Sequence, residues 1–344
     1  MKVMRVGVDL AKNVFQVHGV DAEEQPVWQR SLRRATWLRE LVKRVEPGAE
    51  IGLEACAGAH HWARALGAHG YRVKLMAPQF VKPYVKSNKT DRNDAAAICE
   101  AMSRPSMRFV EVKNVEQQDI QAVHRVRSEL VSQRTSKGNQ IRGLVGEYGL
   151  VAPVQLAALR RALPEWLEDG ENGLTDRFRR LVAGLADDLR RLDQRIAELD
   201  AEIASIAASD PAAQRLLELR GVGPITATAL VAALGTGEAF RRGRDFAVSL
   251  GLTPKQHSSG GKERLLGISK RGDAYLRQLL VHGARAVVRT APSKNDPLSR
   301  WLQKLLARRH TNVVAVALAG KTARMAWALI RHDMAYEARL AAAS

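Results

Sequence analysis

The sequence predicts a mixed α/β domain at the N-terminus, then a helical middle region and a mostly α-helical C-terminal domain. Three observations lead to this prediction. Apolar runs and alternating segments fill roughly the first 112 residues at intervals that suit strands and covering helices. Apolar residues then recur at steps of three and four from Phe178 to Ile206. The last third contains a glycine-rich hairpin motif and several amphipathic segments.

The N-terminal domain, residues 1–112, is predicted to be a sheet covered by helices. Its candidate strands are residues 3–8, 13–20, 27–32, 50–55 and 71–76, and its candidate helices are residues 37–45, 60–69 and a segment that begins near residue 91. Three strands come first, and helices then alternate with the remaining strands. This order indicates a mixed sheet rather than a wholly parallel one.

Four acidic residues lie at the ends of these predicted elements. Asp9 ends the first strand, Glu54 lies near the end of the fourth, and Asp91 and Asp94 begin a helix, three residues apart and therefore on one face. Carboxylates gathered at one edge repel each other unless divalent cations lie among them, and hard oxygen ligands suit Mg²⁺ or Mn²⁺. The alternative is an ordinary helix start, with Thr90 or Asp91 as the N-cap and the acids of the first turn complementing the helix dipole.

Three segments of this domain resemble the DEDD-type transposases of the IS110 insertion-sequence family. They are residues 7–12 (GVDLAK), 53–58 (LEACAG) and 89–95 (KTDRNDA). The resemblance implies an RNase H-like, specifically RuvC-like, fold for this domain. It also implies that Asp9, Glu54, Asp91 and Asp94 are the metal-binding catalytic acids. Lys12 and Lys89 are either phosphate contacts or solvated surface lysines.

The middle region, residues 113–210, is predicted to be basic and helical. Its candidate basic face consists of Arg125, Arg127, Arg134, Lys137 and Arg142. This face either is solvated or contacts a nucleic-acid backbone. The apolar seam from Phe178 to Ile206 predicts a coiled-coil helix. That helix either packs back on its own chain or joins another protomer, so a homo-oligomer, a dimer or a tetramer, is predicted.

The C-terminal domain, residues 211–344, begins with the pattern of a helix-hairpin-helix motif. Gly221 and Gly223 allow a tight turn with exposed backbone before a helix start, which would hold a phosphate without reading a base. A plain corner between two helices is the alternative. Further along, Lys321 and Arg324 are predicted to lie on a solvated helix face, with a nucleic-acid contact as the alternative.

A loop at residues 250–262 contains two adjacent serines, Ser258 and Ser259. From the residues alone the loop is flexible and both serines are linker residues. It is flanked by five cations that we predict to bind nucleic acid: Lys255, Lys262, Arg264, Lys270 and Arg271.

Residues 251–254 (GLTP), 258–261 (SSGG) and 268–273 (ISKRGD) resemble the second domain of the same family. The resemblance implies that a serine of this loop attacks DNA and holds it through a phosphoserine link. The serine–glycine step assigns this role to Ser259, with Ser258 as the alternative.

The charge balance points to a polyanionic partner. Lysine and arginine number 54 against 36 aspartate and glutamate residues, a net charge of +18. The N-terminus leads directly into a strand and no uninterrupted run of 18 apolar residues occurs, so neither a signal peptide nor a membrane span is predicted. Cys56 and Cys99 form no Cys-x-x-Cys pair, which suits a reducing cytoplasm. We expect a bacterial cytoplasmic protein at the nucleoid.

These features and the resemblance predict an insertion-sequence transposase that acts as a site-specific DNA recombinase. Its partners are expected to be donor and target DNA and a guide RNA, and its centre is expected to combine the acids of one protomer with Ser259 of another. One rival is a RuvC-like Holliday-junction nuclease that uses water and leaves Ser259 idle. The other is a nucleic-acid-binding scaffold with no catalytic role.

Overall fold

A computed structural model describes residues 2–86, 90–152 and 154–336. The chain forms two compact units, Met1–Val115 and Glu116–Ser344. The three-part division predicted from the sequence stays a prediction.

The first unit is built on a six-stranded sheet. Its strands are β1 (Arg5–Asp9), β2 (Val14–Val20), β3 (Pro26–Arg33), β4 (Glu50–Glu54), β5 (Arg72–Met76) and β6 (Phe109–Val110), in the order β3-β2-β1-β4-β5-β6. β1, β4 and β5 run parallel, whereas β2, β3 and β6 pair antiparallel with their neighbours. The predicted mixed sheet is therefore confirmed, and it fits the nuclease-like domain that the resemblance implies.

Helices cover both faces of this sheet. They are α1 (Trp37–Arg44), α2 (Ala59–Ala68), the short α3 (Pro78–Val81) and α4 (Asp91–Met102). Alternate residues of a strand point to opposite faces. Val6 and Val8 pack in the core with Trp37 of α1 and Leu66 of α2, while α4 packs on the other face. The sheet is thus the middle layer of three.

The second unit is almost entirely helical. Its helices are α5 (Val115–Gly146), α6 (Leu156–Glu168), α7 (Asp176–Ser209), α8 (Pro211–Leu217), α9 (Pro224–Leu234), α10 (Gly243–Ser249), α11 (Ala274–Thr290), α12 (Pro297–Leu306) and α13 (Thr311–Arg331). One two-stranded hairpin, β7 (Pro254–Gln256) and β8 (Leu265–Ile268), lies between α10 and α11. The mostly helical character predicted for this part of the chain is confirmed.

The long helices α5 and α7 run antiparallel and are joined by ion pairs. Arg127 pairs with Asp200, Arg134 with Asp193 at 3.4 Å, and Lys137 with Asp188 at 3.2 Å. Asp193 also binds Arg160 of α6 at 2.6 Å. Three of the five cations predicted to form a basic face therefore neutralise acids of the same unit. This intramolecular pairing differs from both alternatives that the sequence offered.

Four of the five buried positions of α7 recur every seven residues, at Val182, Leu189, Ile196 and Ile203. Leu181, assigned to the seam from the sequence, is 52% exposed, and Val182 takes the inward position instead. Since α7 packs against helices of its own chain, the seam has an intramolecular role. A coiled coil with another protomer stays a prediction.

A buried histidine connects three helices of this unit. His124 of α5 hydrogen-bonds the Tyr275 hydroxyl of α11 at 3.0 Å and the Thr228 hydroxyl of α9 at 2.9 Å. Burial, with a smaller contribution from the charge of Arg127, lowers the pKa of His124 to about 4. The ring is therefore neutral at pH 7 and fixes these helices through hydrogen bonds.

The apolar helix α13 contradicts one prediction. Lys321 is only 1% exposed, and its ammonium lies 5.2 Å from the centre of the Trp301 ring, so the predicted solvated position is wrong. By length and composition, α13 is the one helix in the described part of the chain that could cross a membrane. Half of its apolar stretch is buried inside the unit, as in the core helix of a globular domain.

Candidate functional site

Asp9 and Glu54 lie side by side at the ends of two parallel strands. Val8 of β1 is in register with Leu53 of β4, so the next residue of each strand reaches the same sheet edge. Each acid lies two residues after a strand glycine that faces α4, Asp9 after Gly7 and Glu54 after Gly52. Residues two apart on a strand point to the same face, so both carboxylates point to the α4 side. Burial raises the pKa of the Cys56 thiol, and the neighbouring charges of Glu54 and Asp9 raise it further.

Two strand glycines set how closely α4 approaches the sheet. A Cβ on Gly7 would lie 2.2 Å from the carbonyl oxygen of Ala95 and 2.5 Å from the amide nitrogen of Cys99. A Cβ on Gly52 would lie 2.9 Å from the sulfur of Met102. Because α4 runs over these bare positions, its first turn reaches the strand end that carries Asp9.

The first turn of α4 supplies the other two acids. Thr90 caps the helix, and its hydroxyl accepts a hydrogen bond from the amide of Asn93 at 3.3 Å. Carboxylate oxygens of Asp9, Asp91 and Asp94 lie within 4.8 Å of one another, with Asp91 exposed and the other two half-buried. Three of the four predicted acids are thus brought together, and Glu54 lies on the adjacent strand end outside this tight group. Lys12 is exposed, and Lys89 lies outside the described residues.

The donor set of this acidic site suits a hard divalent cation. Carboxylate oxygens are the ligands that Mg²⁺ and Mn²⁺ prefer, and the spacing of the three carboxylates allows them to share one ion. Thr90 caps the helix and both aspartates lie in its first turn, as the alternative of an ordinary helix start also predicts. The two aspartates remain available for the site, although their place in the first turn also complements the helix dipole.

Gly7→Ala tests how α4 is held over the sheet. The new methyl group meets backbone atoms that cannot rotate away, so α4 must shift, and we expect a loss of about 1–3 kcal/mol, as for other overpacked cores. Thermal unfolding and hydrogen exchange of α4 measure the effect. The control is Gly67→Ala in α2, where the methyl group meets nothing within 4 Å and alanine favours the helix. Unchanged unfolding and exchange for Gly7→Ala would contradict this account of the packing.

The two serines lie in a hairpin rather than in the flexible loop that the sequence predicts. The turn between β7 and β8 places Gly260 at φ 54° and Gly261 at φ 77°, the left-handed backbone that two-residue hairpin turns require. The amide of Lys262 donates to the carbonyl of Ser259 at 3.1 Å and closes the turn. The Gly-Gly pair was the available signal for this hairpin.

The hydroxyls of the two serines differ in their surroundings. The Ser258 hydroxyl accepts hydrogen bonds from the side-chain amide of Gln256 at 3.0 Å and from the backbone amide of Arg264 at 3.4 Å. Ser259 is exposed beside the turn, and no described residue hydrogen-bonds its hydroxyl. Ser259 is therefore the serine whose hydroxyl is open to a reaction partner.

The cations predicted to bind nucleic acid surround this hairpin. All five are exposed, and none forms an ion pair with a carboxylate in residues 2–86, 90–152 or 154–336: Lys255, Lys262, Arg264, Lys270 and Arg271. They differ in this respect from the paired cations of α5. Their positive charge is available to an external anion.

Gly221 and Gly223 lie between α8 and α9, where the sequence predicts a helix-hairpin-helix motif, and that motif stays a prediction. Gly221 has φ 85°, and a Cβ there would lie 2.8 Å from the carbonyl oxygen of Gly283 in α11. Gly221 therefore has a packing role that the sequence did not reveal. A Cβ on Gly223, the residue before α9, would meet nothing within 4 Å. A phosphate contact at Gly221 and Gly223 stays a prediction.

Comparisons with known proteins cover both parts of this arrangement. Residues 6–149, which contain the four acids, match the DEDD-type IS110 transposase family profile, and residues 213–298, which contain the serine hairpin, match the profile described as "Transposase IS116/IS110/IS902 family". The chain is 44% identical over 337 residues to the transposase for insertion sequence element IS1111A of Coxiella burnetii, covering 98% of this chain and 92% of that one. It is 42% identical over 327 residues to the transposase for IS1328 of Yersinia enterocolitica, covering 94% and 96% of the two chains.

Proposed function

Because the chain belongs to the IS110 family of insertion-sequence transposases, we propose that it recombines DNA at specific sites by cleaving and rejoining strands through a phosphoserine link. The observation that carries the proposal is the convergence of Asp9, Asp91 and Asp94, with Glu54 on the adjacent strand end. DNA is the substrate that the family implies, and the net charge of +18 suits it.

The four acids would hold Mg²⁺, with Mn²⁺ as a substitute. When bound, the ion would stabilise the negative charge that develops on the phosphate during the displacement. The half-buried Asp9 and Asp94 orient this part of the site, because a sheet and a packed helix fix their backbones. Asp91 is exposed, so its carboxylate is open to a bound substrate.

Ser259 would be the nucleophile. Its oxygen forms a bond to phosphorus while the bond from phosphorus to a deoxyribose oxygen breaks. The serine loses a proton, and the leaving deoxyribose oxygen takes one up, so the step is balanced. A deoxyribose hydroxyl of the strand to be joined then attacks the phosphoserine and restores the free serine. Lys255, Lys262 and Arg264 would hold the DNA backbone near the hairpin.

A guide RNA and a homo-oligomer complete the proposal. Ser259 of one protomer would lie beside the acids of another protomer. The reaction would take place in the bacterial cytoplasm, at the nucleoid. Sequencing the nucleic acid that copurifies with the protein tests the RNA partner. We expect one abundant, discrete RNA, and a heterogeneous background would contradict RNA guidance.

The test of the acidic site uses Asp9→Asn and Asp94→Asn. Each keeps the size of the side chain and removes a negative ligand, so we expect DNA cleavage to fall by about 100- to 1,000-fold while DNA binding persists. Cleavage should require Mg²⁺ or Mn²⁺ and stop with a chelator. Glu46→Gln is the control, since Glu46 is 65% exposed and pairs with Lys2. Full cleavage by either aspartate variant would contradict the proposed role of these acids in cleavage, whereas no cleavage by the unaltered protein would favour the nucleic-acid-binding scaffold.

The product distinguishes the proposed recombinase from a water-using junction nuclease. Attack by Ser259 leaves DNA covalently attached to protein, whereas attack by water leaves only free DNA ends. Electrophoresis under denaturing conditions separates the two results. Cleavage without any protein–DNA adduct would favour the nuclease.

A further inference from the structure

An open cleft of about 700 Å³ lies in the N-terminal unit, and none of the four acids lines it. Its lining includes Asn13, Arg33, Arg34, His61 and Trp62. Asp9, the last residue of β1, pairs with Gln16 of β2, and β2 begins two residues before Gln16. Asn13, which lines the cleft, therefore lies at the end of the sheet where β1 ends. The cleft and Asp9 therefore lie at the same end of the sheet.

The floor of the cleft is a rigid aromatic cluster. The ring of Trp62 packs edge-on against Phe15 at 5.5 Å and against Trp37 at 5.0 Å, measured between ring centres. Phe15 and Trp37 are fully buried, whereas Trp62 is half-buried. The packing fixes the orientation of Trp62 and leaves part of it accessible to a planar ligand.

Two arginines supply positive charge beside this floor. The guanidinium carbon of Arg34 lies 5.4 Å from the centre of the Trp62 ring and 5.7 Å from that of Phe15. Its backbone amide donates to the carbonyl of Asn13 at 2.8 Å, which anchors this segment to the start of β2. Within the described ranges, neither Arg33 nor Arg34 forms an ion pair with a carboxylate. No carboxylate of the described residues therefore neutralises the positive charge of these two side chains.

His61 completes the arrangement at the start of α2. Its ring centre lies 4.9 Å from that of Trp62, with an interplanar angle of 72°, and its side chain is exposed. An indole, an imidazole and a guanidinium can each stack on a planar aromatic ring, and the two arginines attract an anion. A nucleotide combines both properties, with a base that stacks and a phosphate that pairs with arginine.

We propose that this cleft binds an unpaired nucleotide of the nucleic-acid strand that enters the acidic site. The base must be unpaired, because the faces of bases in a duplex are covered by their neighbours. The inference rests on the proposed function only in taking a nucleic acid as substrate, and it is independent of the role of Ser259. DNA and RNA share this chemistry, and the test distinguishes them.

The test uses the full-length protein and single-stranded oligonucleotides that carry the fluorescent base 2-aminopurine at successive positions. DNA and RNA versions of one sequence are titrated separately, in Ca²⁺ to limit cleavage. We expect quenching at a restricted position, and tighter binding by one of the two versions identifies the natural strand. Arg34→Ala should weaken binding by about 5- to 50-fold, as loss of one stacked base does, and abolish the quenching.

Arg34→Lys keeps the charge and removes the planar group, so it should lose the quenching and keep part of the affinity. Arg39→Ala is the matched control, because Arg39 of the nearby α1 is 69% exposed and lies outside the cleft. The inference is wrong if Arg34→Lys, Arg34→Ala and His61→Ala all bind and quench like the unaltered protein. Asp9→Asn should keep both signals while losing cleavage, so failure of the cleft and failure of the acidic site give different results.

Discussion

Ser259→Ala is expected to abolish the protein–DNA adduct, with a fall of at least about 1,000-fold in its rate of formation, since removal of a nucleophile removes the reaction path itself. The hydroxyl of Ser259 is exposed beside the turn of the hairpin and has no described hydrogen-bond partner. The substitution removes one oxygen from an exposed side chain, so the thermal unfolding should not change. Adduct formation on DNA carrying both element ends is measured under denaturing conditions.

Ser258→Ala is the control that the chain itself provides. Its hydroxyl is engaged by Gln256 and by the amide of Arg264, so its loss should weaken the hairpin slightly and leave the adduct in place. If Ser258→Ala instead abolishes the adduct and Ser259→Ala does not, the assignment of the nucleophile is reversed. If both variants cleave DNA at the normal rate and neither forms an adduct, water is the nucleophile.

The sequence predicts those parts of the fold that depend on local pattern. Residues 13–20 alternate because one side of the strand packs in the core, and β2 forms there. The strand predicted at residues 27–32 forms as β3. The meeting of Asp9 with Asp91 and Asp94 is predictable because the chain places acids at element ends that a mixed sheet brings to one edge. The close approach of α4 to the sheet, which Gly7 and Gly52 allow, depends on contacts between distant residues that the sequence pattern does not reveal.

The failures come from contacts between residues distant in sequence. The sequence predicts a basic face at Arg127, Arg134 and Lys137, because the acids that pair with them lie on α7, more than 50 residues away. The sequence predicts a solvated position for Lys321, because only the tertiary packing places Trp301 beside it and buries its aliphatic stem. The hairpin around Ser259 was missed because its strands contain few buried residues and give little alternation, although Gly260 and Gly261 carried a turn signal.

The acidic site and the hairpin serine suit a joint experiment, because each can be damaged without the other. If a working centre combines the acids of one protomer with Ser259 of another, a mixed dimer of Asp9→Asn and Ser259→Ala contains one centre with both parts intact. Neither variant alone should form an adduct. Random mixing in equal amounts should then recover about a quarter of the centres, since half of the dimers are mixed and each has one intact centre.

The position of the adduct makes this prediction specific. With the two variants tagged to differ in size, DNA should be attached to the Asp9→Asn chain, which alone retains Ser259. A mixture of Asp9→Asn with Asp94→Asn is the control, because every centre then has a damaged acidic part and no adduct should form. If coprecipitation shows that the tagged chains mix but no adduct appears, both parts of each centre come from one chain. Adduct on the Asp9→Asn chain would instead show that the acids of one protomer act with Ser259 of another, because the acidic site of the Asp9→Asn chain itself is disabled.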